Sequence, residues 1–418
     1  MALRIDFPNS FVGSELTNRH EVLSQLQTPS YIYNFDQLIE NISVFTEISR
    51  KFGIHVFFAV KSNSNKKLVE IVKNSGIGFD VNSIGEMKTV LNSGTEPDKI
   101  IFAGVGKTDT ELRFAIDAKI KLIKAESLDE VKVISQLSEE LNQSVNIGLR
   151  LNPNIDAKTH PYISTGLLTS KFGIDSRDIP EILTVIRMNP NLKLKGLDAH
   201  IGSQIQDLNL YLEVFDFLSS KAEEINKTGF QINEIDLGGG FGIDYDGSGN
   251  STLKEINALF EKISVINNNR FEIFIEPGRA MVANTVMIIS KVLYTKRNGE
   301  KQFAVIDASM TENIRPALYE AKHSIVKLNP DESDKDEIYD IVGPVCETSD
   351  YLGLDVSIQQ LKRGDFVGIL DSGAYTSAMA SNYNLRPFRA EYLWKNNKME
   401  LIRKPQDIEE LINAGAVT

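Results

Sequence analysis

Eight short apolar runs, rich in β-branched and aromatic residues, punctuate residues 55–278. They are 55–60 (HVFFAV), 77–81 (IGFDV), 100–104 (IIFAG), 121–125 (KLIKA), 146–151 (NIGLRL), 194–201 (LKGLDAHI), 234–238 (EIDLG) and 271–275 (FEIFI). The first five recur at a near-even beat and the later ones are spaced more widely. Between them lie stretches with apolar residues at helical spacing, such as Lys66–Asn74, Ile84–Ser93 and Asp109–Ala118. Near-continuous apolar strands alternating with amphipathic helices predict a parallel sheet. Eight such units predict closure into a (β/α)8 TIM-type barrel whose active site lies at the carboxyl ends of the strands. An open doubly wound sheet is the alternative, and the even repetition favours closure.

After about residue 285 the pattern changes. Val286–Tyr294, Gln302–Asp307, Ile338–Val342 and Asp365–Leu370 read as strands, as do Ala390–Trp394 and Met399–Ile402, paired across Lys-Asn-Asn-Lys. Long helical stretches are few, so this part reads as a separate, mostly antiparallel, β-barrel-like domain. The expected division is a barrel over 35–284 and a β domain over 285–418, joined by the N-terminal segment 1–34 with its early strand Ser30–Asn34. The polar stretch 327–337 (KLNPDESDKDE) reads as an exposed loop within the β domain.

Composition narrows the function classes. The chain has 418 residues, 42% hydrophobic content and a net charge of −12, which fits two packed domains and argues against nucleic-acid binding. A single cysteine excludes an internal disulfide framework and fits a reducing compartment. The start MALRIDFP lacks the apolar stretch of a signal peptide, and no run approaches the ~18 apolar residues of a membrane span. A soluble, cytoplasmic protein is the expectation. The five histidines are scattered, and no His/Cys spacing suggests zinc, so no metal is expected.

The candidate chemistry gathers at strand ends. Lys61 follows the first run, where a lysine is poorly placed as a solvated surface charge and well placed as a desolvated amine of lowered pKa, able to form a Schiff base. The seventh run leads into Asp236-Leu-Gly-Gly-Gly-Phe-Gly242, whose uncovered backbone N–H groups suit the approach of a phosphate. A tight turn beside close-packed neighbours is the plainer reading. The eighth ends in Glu276-Pro-Gly-Arg279; Glu276 suits a protonated pyridine nitrogen, or else pairs with Arg279 to cap a turn. The sixth ends in Asp198-Ala-His-Ile-Gly-Ser203, where His200 can stack on a flat ring and Ser203 can donate to phosphate, or His200 is a core residue satisfied by Asp198. In the β domain, Gly343-Pro-Val-Cys-Glu-Thr-Ser-Asp350 sets Cys346 between acids in a turn. A lone cysteine is usually a small buried hydrophobe, but here an accessible thiol is expected. Arg315 and Tyr319, four apart, share a helix face and can grip a carboxylate. Tyr375, in DSGAY, offers a hydroxyl after a strand.

These segments together resemble the fold-type III pyridoxal-phosphate decarboxylases, and within them those acting on diaminopimelate. The resemblance runs in order through FAVKSN (58–63), GFDVNSIGE (78–86), THPYISTG with SKFGI (159–166, 170–174), HIGSQ (200–204), LGGGFG (237–242), EPGR (276–279), RPALYEAKH (315–323), GPVCETSD (343–350) and DSGAYTSAMASNYN (371–384). It covers nearly the whole chain.

The resemblance implies pyridoxal 5'-phosphate as cofactor, bound covalently by Lys61 and packed against His200. Its phosphate would meet Ser203, Gly238, Gly239, Gly240 and Tyr375. Its ring nitrogen would meet Glu276, with Asp80, Pro277, Gly278 and Arg279 also against it. Arg279, Arg315 and Tyr319, with Tyr375, would hold the substrate and its distal carboxylate; Glu347 would read the distal ammonium, and Cys346 would be the proton donor. The Cys-Glu loop of this family reaches the neighbouring subunit's active site, which implies a homodimer. Thr348 stands where Ser is common, a mild departure. The implied reaction is decarboxylation of meso-2,6-diaminopimelate to L-lysine, the last step of lysine biosynthesis. A decarboxylase of ornithine, arginine or carboxynorspermidine would leave two arginines without a charge partner. A racemase would have no use for them, and an inactive binding protein would not need Lys61, Glu276 and Cys346.

Overall fold

The computed structural model describes residues 23, 26–156, 170–245, 252–330 and 335–414. The motif at 159–166 lies outside the described residues. The chain divides into two compact units, one of Ile42–Ile243 with Asn250–Ala280, the other of Met1–Asn41, Asp244–Gly249 and Met281–Thr418. Among the described residues no helix is long and apolar enough to cross a membrane.

Strand β1 (Ser30–Asn34) belongs to the second unit. The first unit contains β2 (His55–Ala59), β3 (Gly78–Val81), β4 (Ile100–Phe102), β5 (Leu122–Ala125), β6 (Val145–Arg150), β7 (Leu192–Asp198), β8 (Glu234–Asp236) and β9 (Glu272–Ile275). They pair in parallel and in sequence order, and β9 pairs back onto β2, closing the barrel. Each of the eight apolar runs is thus a barrel strand. The intervening helices start where short polar side chains satisfy free N–H groups. Asn65 accepts from the Lys67 amide at the start of α1 (Lys66–Asn74), and Ser83 accepts from the Glu86 amide at α2 (Ile84–Asn92). Thr108 and Glu111 form a reciprocal capping box on α3 (Asp109–Ala118).

Alternation along the strands builds the barrel interior in layers. Phe57, Ile101, Leu122 and Phe274 pack together from β2, β4, β5 and β9. Burial of each contributes about 1.5–3 kcal/mol. Glycines make room among these side chains. A Cβ on Gly78 would meet Phe57 at 2.6 Å, one on Gly148 would meet Leu122 at 3.2 Å, and one on Gly196 would meet the Glu234 Cβ at 3.0 Å. Two residues further along the same strands, on the same faces, stand Asp80, Lys124, Arg150, Asp198, Asp236 and Glu276. All six are buried. A layer that is apolar apart from Glu234 therefore lies below a charged layer at the carboxyl ends.

The second unit is a nine-stranded, mostly antiparallel sheet. Its spine is β10 (Val286–Asn298), which pairs with β1, β11 (Lys301–Ile306) and β15 (Phe366–Ile369). The other strands are β12 (Ile325–Lys327), β13 (Asp336–Val342), β14 (Tyr351–Gln359), β16 (Glu391–Lys395) and β17 (Lys398–Arg403). Among the described residues of this unit, β1 with β16 and β11 with β13 pair in parallel and the other strand pairs are antiparallel. Leu23, Ile32, Met287, Ile289, Leu328 and Phe366 form a core cluster in this unit, with Trp394 packed against it. The polar stretch 327–337 differs from the expected exposed loop. Lys327 ends β12 and is buried in an ion pair with Asp365 at 3.0 Å, Leu328 is buried, and β13 begins at Asp336; residues 331–334 lie outside the described residues.

Candidate active site

Lys61 leaves β2 in a single 3-10 turn, Val60–Ser62. The turn is held by its backbone: the Ala59 amide donates to the Pro277 carbonyl at 3.1 Å and the Asn63 amide to that of Val60 at 2.9 Å. A Cβ on Gly278 would meet Ser62 and Ala59 at 3.1–3.2 Å, so Pro277 and Gly278 pack the end of β9 directly on the lysine turn. Lys61 Nζ lies 3.9 Å from Asp80 Oδ2, and its side chain is 38% exposed against none for Asp80. The lysine is less sheltered than its place after a buried strand suggests, because it stands two residues beyond the end of the strand.

Glu276 is held by a cation other than Arg279, whose donors go to Ser203. Its partner is Lys124, a fully buried lysine at 2.5 Å from Glu276 Oε1, 2.6 Å from Asp236 Oδ2 and 3.6 Å from Asp198 Oδ2. Asp198 is therefore taken up by Lys124 and does not serve as the core partner of His200. Burial alone would depress Lys124, but Asp198, Asp236, Glu276 and Asp80 together hold it well above the usual lysine range. Burial acts to raise Glu276, yet Lys124, Lys61 and Arg150 outweigh it and leave Glu276 more acidic than usual. The remaining acids shift the other way. Burial and the Glu276 charge push Asp80 well up and Asp236 up to about 7, while burial raises Asp198. Arg150 is paired with the buried Glu126 at 2.9 Å.

The glycine run answers to two demands. A Cβ on Gly239 would sit 2.0 Å from the Glu276 carbonyl oxygen, and one on Gly240 2.3 Å from that of Gly202, so the loop fits between its neighbours only without side chains. Gly238 and Gly240 also adopt φ of +69° and +96°. The Gly238 amide donates to Asp236 at 2.8 Å and the Gly239 amide to His200 Nδ1 at 3.2 Å. Of the three, Gly240 alone has an amide without an acceptor among the described residues. Gly239→Ala should lower stability by about 1–3 kcal/mol, measurable by chemical denaturation, because the carbonyl it meets belongs to a strand end that cannot retreat freely.

His200 Nδ1, as acceptor, leaves the ring proton on Nε2. Burial first, then Lys61, Arg150 and Lys124, hold its pKa well below the usual value, so the imidazole is neutral. Arg279 is buried and donates to Ser203 Oγ, at 3.3 Å from Nε and 2.9 Å from Nη2.

The remaining candidates lie in the second unit. Arg315 opens the short helix α4 (Arg315–Tyr319), which puts Arg315 and Tyr319 four apart in one helix as the spacing requires. Arg315 is buried, stacks 4.6 Å from the Tyr245 ring and donates from Nη1 to His323 Nε2 at 2.8 Å. His323 Nδ1 lies 2.8 Å from the Leu370 carbonyl and must donate there, so Nε2 is free to accept from the arginine. Cys346 is exposed, as are Glu347 and Thr348. Asp350 is buried, and it braces this loop by accepting from the Met310 amide at 2.6 Å and the Val345 amide at 2.7 Å. Tyr375 holds φ +58°, an unusual conformation for an aromatic residue.

The barrel unit thus brings together Lys61, Asp80, His200, Ser203, Gly238, Gly239, Gly240, Glu276, Pro277, Gly278 and Arg279. Lys124, the centre of their charge network, is a functional candidate that the reading of the sequence missed.

A family model described as the pyridoxal binding domain of pyridoxal-dependent decarboxylases matches residues 38–283. The diaminopimelate decarboxylase of Vibrio cholerae is 38% identical, over 94% of this chain and 93% of its own. Among solved structures, diaminopimelate decarboxylase from Helicobacter pylori complexed with L-lysine superposes with a TM-score of 0.88 at 34% identity, over 94% of this chain and 98% of that one. The enzyme from M. jannaschii in co-complex with L-lysine gives a TM-score of 0.89 at 30% identity, over 96% and 94%. The chain belongs to the pyridoxal-dependent decarboxylases and, within them, to the diaminopimelate decarboxylase family.

Proposed function

We infer that this chain decarboxylates meso-2,6-diaminopimelate to L-lysine and carbon dioxide with pyridoxal 5'-phosphate held at the mouth of its barrel. The observation that carries this reading is the pairing, in one layer, of an accessible lysine amine with a buried carboxylate kept ionised by a second lysine. The donor set fits the cofactor. Lys61 offers an amine for an aldehyde carbon, Glu276 an anionic acceptor for a ring N–H, and His200 a neutral flat face. Arg279, Ser203 and the Gly240 amide offer donors for a phosphate. Asp80 Oδ1, buried beside Lys61 with no partner among the described residues, leaves a polar atom still to be satisfied.

When bound, the cofactor supplies a conjugated ring into which the electron pair left by the departing carboxylate delocalises. Lys61 Nζ would hold it through its aldehyde carbon. Glu276, its Oε1 engaged by Lys124, would accept the ring N–H with Oε2. His200, its single ring proton on Nε2, would limit tilting of the ring by offering its flat face. Cys346 Sγ returns a proton to the decarboxylated carbon as general acid. Arg315 and Tyr319, with Arg279, bind the distal carboxylate, and Glu347 binds the distal ammonium. Tyr375 adds a hydroxyl to the phosphate set. The exposure of Cys346 and Glu347 on the single chain supports a homodimer in which each subunit supplies this loop to its neighbour's site.

Carbon dioxide release from meso-2,6-diaminopimelate, ornithine, arginine and carboxynorspermidine, each with added cofactor, tests the assignment. Turnover of diaminopimelate should dominate; faster turnover of ornithine would overturn the choice of substrate. Borohydride reduction and peptide mapping should place the pyridoxyl label on Lys61, and a label elsewhere would remove the lysine from its role.

A further inference from the structure

We propose that Lys124 is a positioning residue for the reaction: it fixes Glu276 by Oε1, leaving Oε2 solely an acceptor for the cofactor's ring N–H. The inference rests on the function inferred above and adds to it a residue that no motif supplied.

The geometry is specific. Lys124 Nζ has three N–H groups, and two are committed at 2.5 and 2.6 Å to Glu276 and Asp236, with Asp198 3.6 Å away. The side chain is 1% exposed, so water does not substitute for any of these partners. Its place follows from the strand. Leu122 packs in the apolar layer below, and two residues on, the same face of β5 meets the ends of β7, β8 and β9.

Charge balance gives the contact its consequence. The carboxylates of Asp80, Asp198, Asp236 and Glu276 face the ammonium groups of Lys61 and Lys124, a formal excess of two negative charges, to which Glu86, whose charge acts on Asp80 and Lys61, adds a third. Arg150 and Glu126 pair with each other and leave that excess unchanged. An uncompensated buried charge is costly, so such a layer takes up protons or waits for a cation. A protonated ring nitrogen at Glu276 is a cation of the right kind. With Lys124 in place the protons fall on the aspartates, which are the groups raised by burial, and Glu276 remains ionised. Without Lys124 the excess grows by one and Glu276 loses its nearest cation. A protonated Glu276 would donate to the ring nitrogen and could not hold a proton on it.

A purely structural ammonium would make a different prediction, because charge balance can be restored by removing one of its partners. Lys124→Met removes the cation; Lys124→Met with Asp236→Asn removes a cation and an anion together, and carries the test should the single variant not fold. Each protein is loaded with nitrogen-15-labelled pyridoxal phosphate and examined for ring-nitrogen shift, cofactor retention, melting temperature and the split between kcat and KM. The unaltered protein should show a protonated ring nitrogen. The single variant should move that signal toward the unprotonated form and lose roughly 10- to 100-fold in kcat, as groups that orient a metal ligand do, with KM nearly unchanged. The double variant should regain melting temperature while ring signal and kcat stay displaced. A wild-type ring signal in the single variant, or recovery of both ring signal and kcat in the double, would overturn the proposal while leaving the decarboxylase assignment standing. Failure of the unaltered protein to bind the cofactor would overturn both.

Discussion

Lys61→Ala is expected to reduce carbon dioxide release from diaminopimelate by ~10⁴-fold or more while leaving the protein folded. The two halves of this expectation have separate physical grounds. Turnover should fall because Nζ is the group inferred to bind the cofactor, and Lys124, buried among three carboxylates, cannot replace it. The fold survives because the turn that carries Lys61 is closed by backbone bonds, from Ala59 to Pro277 and from Asn63 to Val60, and by the Ser62 hydroxyl donating to the Ala59 carbonyl at 2.8 Å. The lost ion pair is long, at 3.9 Å, and one member is partly solvated. Asp80, raised first by burial and then by Glu276, can remain protonated once its cation is removed. The melting temperature should therefore fall by no more than about 3 °C, the equivalent of about 1 kcal/mol. Assay, circular dichroism and calorimetry on the cofactor-loaded protein decide it; a collapsed melting transition would mean that Lys61 holds the barrel together and that its loss says nothing of chemistry.

The barrel was legible because its strands are buried on both faces and so read as unbroken apolar runs. The same rule hid β14. Its sequence YLGLDVSIQ buries only Leu352 and Ile358, leaves Leu354 exposed, bends at Asp355 with φ +50°, and pairs with β13 alone. With one partner and a wet face, such a strand has no long apolar run to announce it. Strand β12 escaped for another reason: three residues are too few to show a period.

In the site, residues whose chemistry is unusual where they stand were the visible ones. Lys61 beyond an apolar run, Glu276 in Glu-Pro-Gly-Arg and the glycine run all stood out. Lys124 did not, because KLIKA reads as a strand with polar ends and hydropathy cannot tell an inward lysine from a solvated one. A signal was nonetheless present. Gly78-Phe-Asp80, Leu122-Ile-Lys124, Gly148-Leu-Arg150, Gly196-Leu-Asp198, Glu234-Ile-Asp236 and Phe274-Ile-Glu276 all place a charge two residues after an inward position. Once a closed barrel is assumed, alternation sends all six charges inward to one layer, and balancing the charges asks for cations among the acids. Partner choice stayed out of reach: nothing in the order of residues says that Glu276 takes Lys124 while Arg279 takes Ser203.

Cys346→Ala is expected to lower kcat by about 10²-fold or more while changing KM little, since a positioned general acid contributes 10²–10⁴-fold and substrate binding falls to other groups. The thiol is exposed, so its removal leaves no cavity, and stability should stay within about 0.5 kcal/mol. The loop does not rely on it for shape. Asp350 fixes the backbone through the Met310 and Val345 amides, and the Cys346 amide donates to Asn384 Oδ1 at 3.1 Å, a bond the alanine variant retains. Equal losses in kcat and in substrate affinity would instead assign the residue to packing around the substrate. Mixing Lys61→Ala with Cys346→Ala then asks whose site the thiol serves. In a dimer that exchanges these loops, a mixed pair contains one site with both residues intact, so subunits that are each nearly inactive regain turnover together. If light scattering or mass labelling demonstrates exchange and activity stays at the level of the parents, each chain uses its own cysteine, and the shared-site arrangement is wrong.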